Sequence, residues 1–424
     1  MSGIMQMFFN SGAKDNNFIG VLGASVQTYG QSVSVDTDGN IYVCGYSGSG
    51  PDIQLAKYNS SGAIQWQETL SDSGNSYGIA VDSSNNVYVC GLSYASGNAD
   101  IQIVKCNSSG VIQWQRQLGN AGYSDAGYGI AVDSSSNVYV CGSSDLNILI
   151  VKYNSSGAIQ WQRKLSSATN SNAGRSVSVD TSGNVYVCGF SNATGAYLFI
   201  IAKYDSSGVI QWQRRFGNGG ATQFGYGVSI DSSNNVYVCG SSDFVSGTQD
   251  IIIAKYDSSG VIQWQRRLAS SGNDYGYGVS IDSSNNVYVC GIAQGTSAVM
   301  VQIVKYDASG VIQWQRQLGN ANGNNGYGIA IDTKGHIYVC GNTIPNGSYR
   351  NLLIAKLPSD GTLTGTYTVG GYSFTYSASS LTDASTSLTE AAATLTDSAS
   401  TLTDSASALT ATASSLTSSI KIIP

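Results

Sequence analysis

The feature that most limits what this chain can fold into is a unit of about fifty residues that recurs seven times. One copy runs through Tyr128 to Asp133 (YGIAVD), Asn137 to Gly142 (NVYVCG), Ile148 to Gly157 (ILIVKYNSSG) and Ala158 to Arg163 (AIQWQR). These stretches are short, β-branched and punctuated by Asn, Asp, Ser and Gly, the pattern of four strands joined by turns. Repeats of this length make each unit one supersecondary element that buries its faces against its neighbours.

Two intervals never change. The step from Asp to Cys is eight at 36 to 44, 82 to 90, 133 to 141, 180 to 188, 231 to 239, 282 to 290 and 332 to 340. The step from Lys to the Trp position is nine at 57 to 66, 105 to 114, 152 to 161, 203 to 212, 255 to 264, 305 to 314 and 356 to 365. Calling the strands a to d, the a–b and c–d hairpins are therefore fixed. The other two connections vary, Cys to Lys from eleven (141 to 152) to sixteen (239 to 255) and Trp to the next Asp from sixteen (66 to 82) to nineteen (114 to 133). In a four-stranded blade the a–b and c–d turns emerge on one face of a ring and the b–c and d–a loops on the other, so the variation falls on one face, where loops carry binding. Strands a and b are apolar on both sides, with Ile130 and Val132 alternating with Gly129 and Ala131. Such strands need cover on both faces. The expectation is an all-β, seven-bladed β-propeller.

Gly129 to Asp133, Asn137 to Gly142 and Gly157 to Trp161 resemble the blades of the bacterial and phage β-propeller repeat family called SBBP, over roughly residues 17 to 370. The resemblance implies the fold. It implies little about function, because propellers host enzymes, scaffolds and adhesins alike.

Six units end in Trp66, Trp114, Trp161, Trp212, Trp264 and Trp314, but the seventh has Gly365 there. Residues 17-23 align with 113-119, and Phe18 precedes Asp36 by eighteen, inside the range of the true repeats. The expected organisation is an N-terminal arm at 1-16, a propeller at 17-371 in which 17-23 is the closing outer strand of blade seven, and a tail at 372-424. In that tail Leu381, Leu388, Leu395, Leu402, Leu409 and Leu416 recur every seven residues, with Ser385, Ala392, Ala399, Ala406, Ala413 and Ile420 four residues after each. The period predicts an α-helical coiled-coil stalk that oligomerises through these leucines; the Ser and Thr content, which lowers helix propensity, leaves a disordered spacer as the competing reading.

Only 11% of residues are charged and the net charge is −6, which argues against a nucleic-acid partner. No apolar run is long enough to enter a membrane, and the start lacks the basic region of a secretory signal. Seven of eight cysteines occupy one place in the repeat, too far apart between blades for disulfides, and read as free core thiols of a reducing compartment.

No catalytic, cofactor or metal constellation emerges. The single histidine, His336, replaces the Asn of an a–b turn, and the repeated Asp reads as a turn cap rather than a calcium ligand. The Lys and Arg of strands c and d read as edge charges that discourage strand pairing. A site on a pseudo-symmetric ring should lie where the repeat breaks. The Tyr five residues before each Asp becomes Gln31 in blade one and Arg175 in blade four, marking the channel mouth. Tyr94, Tyr123, Tyr197, Phe224, Phe244 and Tyr349 in the variable loops complete the candidate binding positions.

The expected function is non-enzymatic: a structural or binding propeller on a phage particle, assembled in the host cytoplasm. Its expected partners are other virion proteins or its own copies through the tail, and a cell-surface glycan or protein. The start Met1 to Met7 is similar to the starts of some phage virion proteins, and the Ser/Thr/Ala heptads resemble fibre stalks. The competing expectations are a bacterial surface or secreted propeller, and a propeller enzyme.

Overall fold

The structure is a computed structural model of the whole chain. It describes residues 17–423 apart from short gaps in the variable loops (24–26, 49–51, 72–73, 95–96, 120–121, 167–170, 193–194, 217–221, 246, 295–297, 346–348 and 370) and in the tail (386–389, 393–395, 400–402, 407–409 and 414–416). The N-terminal arm, 1–16, lies outside the described residues.

Seven antiparallel sheets form the blades of a ring. In blade three, strands Ala126–Val132, Val138–Ser144, Asn147–Tyr153 and Ile159–Ser166 pair in order from the centre outward. Hydrophobic clusters lie between blades rather than within them. Tyr88, Cys90, Ile101, Ile103 and Leu118 of blade two meet Ile130, Val138, Val140, Leu149, Val151 and Tyr153 of blade three in one such cluster. Interdigitation of this kind accounts for strands that are apolar on both faces.

Blade seven is shared between distant parts of the chain. Its outer strand Asn17–Gly23 pairs with Asn351–Leu357, Phe18 opposite Lys356 just as Trp161 stands opposite Lys152. Gly365, in the place of the missing Trp, belongs instead to a hairpin, Gly365–Val369 with Tyr372–Ala378, laid on the outer edge of blade six. The apolar side of this hairpin, Val369, Phe374 and Tyr376, packs with Ile19, Val21 and Leu318 in one core.

From that hairpin, whose second strand pairs with blade six, the tail travels round the rim in reverse order and adds one outermost strand to each further blade in turn: five, four, three, two, one and seven. Ala378 stands opposite Arg316, Ser385 opposite Arg266, Ala392 opposite Arg214, Ala399 opposite Arg163, Ala406 opposite Arg116, Ala413 opposite Glu68 and Ile420 opposite Gly20. Each blade therefore takes one seven-residue step of the tail.

The described stretches of the tail are thus strands, and no helix occurs among the described residues. Leu388, Leu395, Leu402, Leu409 and Leu416, on which the expected stalk rests, lie outside the described residues. Leu381 is buried against the core between blades five and six.

Candidate functional site

The two faces of the ring are built differently. On the face of the fixed turns, each blade holds the next through one repeated joint. Trp161 Nε1 and Lys152 Nζ both donate to the carbonyl of Ser206, at 3.2 and 3.3 Å, and Arg163 Nε donates to the carbonyl of Gly208 at 2.5 Å. The receiving c–d turn is shaped by Asp205, whose Oδ1 accepts the N–H groups of Ser207 and Val209. Gly208 closes it at φ +81°, and a Cβ there would meet Trp161 at 2.8 Å, so only glycine fits. The lysine also lies over the next tyrosine inward, Lys152 Nζ 5.2 Å from the Tyr139 ring centroid.

The same lysine contact recurs from Lys57 to Ser108, Lys105 to Ser155, Lys203 to Ser258, Lys255 to Ala308, Lys305 to Ser359 and Lys356 to Ser60. This corrects the reading of these lysines and arginines as edge charges: they fasten blade to blade. The a–b turns are capped as expected. Asp133 Oδ1 accepts the N–H groups of Ser135 and Asn137, and Oδ2 accepts Asn137 Nδ2 and the Tyr139 hydroxyl. His336 fills the place of that asparagine, with Nδ1 2.8 Å from Asp332 Oδ2.

The opposite face carries the departures. In every blade the register of strand a against strand b slips at one residue, between Gly30 and Ser32, Ser76 and Gly78, Gly127 and Gly129, Gly174 and Ser176, Gly225 and Gly227, Gly276 and Gly278, and Gly326 and Gly328. A bulge leaves the extra residue unpaired and re-aims its side chain. The seven extra residues are Gln31, Tyr77, Tyr128, Arg175, Tyr226, Tyr277 and Tyr327, and together they line a cavity of about 170 Å³ at the channel mouth. Just beyond each bulge the innermost strands approach so closely that a Cβ on Gly129 would lie 2.9 Å from the Cα of Ser176. That approach is why Gly or Ser follows the collar residue in all seven blades.

The collar is aromatic nearly all the way round. Ring centroids are 5.2 Å apart for Tyr77 and Tyr128, 4.9 Å for Tyr226 and Tyr277, and 5.1 Å for Tyr277 and Tyr327. Arg175 lies over Tyr128 at 4.1 Å and Phe190 at 5.3 Å, and its Nε is buried without a hydrogen-bond partner. Phe190 in turn contacts Tyr197 and Phe224, at 5.4 and 5.1 Å. In blade one, Tyr46 stacks on Tyr29 at 4.6 Å beside Gln31 and reaches Tyr77 at 6.5 Å.

Burial pushes the phenols of Tyr77, Tyr277 and Tyr327 up, and that of Tyr226 up to about 12. They stay protonated near neutral pH and act as hydrogen-bond donors rather than bases. Asn75 and Asn325 donate to the hydroxyl oxygens of Tyr77 and Tyr327, at 3.1 and 2.9 Å, which leaves both O–H groups to donate elsewhere.

Of the candidate positions read from the sequence, Gln31, Arg175, Tyr197 and Phe224 come together at or beside the collar. Tyr94, Tyr123 and Tyr349 are exposed on the variable face at 47%, 51% and 43%, and Phe244 lies on strand Val236–Val245. Sequence reasoning missed Tyr46 and Phe190. A signal was present: the residue after the Cys-Gly of strand b is Tyr46, Leu92, Ser143, Phe190, Ser241, Ile292 and Asn342. It is aromatic only in blades one and four, where the collar tyrosine is lost.

Among the described residues, no group of three or more His, Cys, Asp or Glu side chains is placed to hold a metal ion. No helix among them is long and apolar enough to cross a membrane.

A family model described as a beta-propeller repeat, SBBP, matches residues 19–51, 68–98, 113–149, 211–244, 263–296 and 313–347. The interval between the third and fourth matches contains strand a of blade four and Arg175. No curated protein matches the chain. Solved structures with a similar course include a gluconolactonase from Xanthomonas campestris, at 13% identity and TM-score 0.42 over 69% of this chain and 90% of that one. Two structures of Sqt1 from Chaetomium thermophilum match at 9% identity. Their TM-scores are 0.44 and 0.45, over 80% of this chain and 99% and 97% of theirs.

Proposed function

We propose that this chain of SBBP beta-propeller repeats is a non-enzymatic recognition protein that meets its partner with the variable face, and that it serves as an appendage of a phage particle. The observation that carries the recognition reading is the division between the two faces. One face is spent on repeated blade-to-blade joints, with the lysine contact in all seven blades, whereas the other gathers the loop-length variation, the exposed aromatics and the collar with its two substituted blades. The collar offers donors, aromatic faces and one cation, which is the chemistry of binding a ligand rather than of moving its protons.

The partner class we propose is a cell-surface glycan or protein, with other virion proteins holding the chain on the particle. The eight buried free thiols favour assembly in a reducing cytoplasm over folding outside the cell. The tail pairs with the chain's own blades, so self-association through it would take the form of a strand exchange in which one copy's tail straps another's rim.

Adsorption of the purified chain to host cells tests the recognition reading. A Tyr94→Ser, Tyr123→Ser, Tyr349→Ser variant is expected to lose adsorption with its melting temperature unchanged. Equal adsorption would remove the variable face from the account, and catalytic turnover abolished by Arg175→Gln would make the protein an enzyme. Mass spectrometry of purified particles tests the placement.

A further inference from the structure

The cavity lining carries one formal charge, and a second cation, Arg350, stands beside it 5.9 Å from the Tyr29 ring, close enough to act on Tyr46 and Tyr327. Among the residues that line the mouth, Arg175 alone is ionic, and no carboxylate among the described residues pairs with it. Its guanidinium carbon lies 4.1 Å from the Tyr128 ring centroid and 5.3 Å from that of Phe190, contacts that help to position it before any ligand arrives. Its Nε is buried and has no acceptor. An unpaired buried donor costs free energy that an incoming acceptor restores.

The opposite side of the ring is complementary. Gln31 stands three blades from Arg175, and the tyrosines that flank it, Tyr77 and Tyr327, have their oxygens occupied by Asn75 and Asn325 and their O–H groups free to donate. Hydrogen-bond donors therefore converge on the lumen from both sides, between the faces of aromatic rings. Inorganic phosphate brings no ring to the aromatic walls, whereas a carboxylate carried on a ring meets the planar guanidinium fork and those walls together. The aromatic walls suit the flat or C–H face of a small ring.

We propose that the channel mouth binds a monocarboxylate carried on a small ring, the carboxylate seated on Arg175 and the phenol O–H groups, the ring against the collar tyrosines. This deepens the recognition reading and rests on the variable face being the binding face. A sugar acid and an aromatic acid share this chemistry.

Calorimetric titration of the full chain tests it with four probes: glucuronate, benzoate, glucose as the neutral partner of the first, and inorganic phosphate. At least one of the two carboxylates binds, and which one names the source of the ring. Glucose and phosphate bind at least tenfold more weakly. Arg175→Tyr, which gives blade four the residue found in five other blades, folds with an unchanged melting temperature and weakens carboxylate binding about tenfold or more, the scale of a charge-assisted hydrogen bond. Arg175→Gln does the same.

Failure of both carboxylates to bind, equal binding of glucose, or undiminished binding by both variants would overturn the proposal. If adsorption to cells is still lost in the Tyr94, Tyr123, Tyr349 variant when the titrations fail, the ligand class is wrong and the recognition face stands. If adsorption is indifferent as well, the face itself is wrong.

Discussion

At the scale of single residues, one contact set does most of the joining. Trp161, Lys152 and Arg163 of blade three converge on two carbonyls of the blade-four turn. Trp161→Ala removes the ring under Gly208 together with one donor. Thermal or denaturant unfolding should show a loss of about 2 kcal/mol, less than the ~3–5 kcal/mol of a fully buried Trp.

The a–b turn caps make a pH prediction. Burial works to raise the Asp332 carboxyl, but the His336 side chain, the Tyr338 hydroxyl and the His336 N–H overcome this and hold it down to about 2, from 3.8. A depressed carboxylate contributes stability that is complete above its unfolded value and disappears as pH falls through its folded one. Asp332→Ala should therefore destabilise more near neutral pH than below about pH 2, the difference being on the order of 1–2 kcal/mol once solvent screening is allowed for. Denaturant midpoints at the two pH values check this. The cysteines should be silent: burial pushes Cys44 and Cys141 up to about 12 and Cys90, Cys188, Cys239 and Cys340 well above their usual value. A thiol reagent at neutral pH should label none of these six until the protein unfolds.

The lysines show why such contacts were hard to read from the sequence. Their spacing placed them on strand c of every blade, but nothing inside one repeat says that the next blade's turn carbonyl lies within reach. The Asp caps were legible because donor and acceptor sit two to six residues apart along the chain.

At the scale of elements, the period of the tail was visible, and more than one cause fits it. Seven residues recur in a coiled coil because they make two helical turns. Here they recur because each seven-residue step, ~23 Å of extended chain, carries the tail from one blade to the next, with Ala399 on blade three and Ala406 on blade two. The Ser and Thr content lowers helix propensity, which is why a disordered spacer stood beside the coiled-coil reading. Covering the outer edges matters because open strand edges recruit other chains. Deleting 372–424 removes Phe374 and Tyr376 from the core between blades six and seven and bares the rim. The truncated chain should melt lower and aggregate in light scattering, whereas an unchanged, monodisperse product would show the strap to be dispensable. Deleting 1–23 should likewise lower the melting temperature by opening blade seven on its outer side.

At the scale of the whole molecule, the ring places its own joints on one face and its irregularities on the other. The number of blades and the identity of the variable face followed from intervals along the chain. The collar was legible in part, since Gln31 and Arg175 broke a tyrosine repeat, but the bulge that turns those side chains into the lumen is a property of strand pairing. It was therefore absent from any one-strand pattern. Whether function belongs to the face or to the tail turns on whether the tail is spent on the rim. Hydrogen exchange of the full-length chain, read on residues 396–399 and 403–406, decides this. Tail amides bonded to blades three and two should exchange far more slowly than a free peptide, and exchange at free-peptide rates throughout would contradict the strapped ring and return the tail to the role of a stalk.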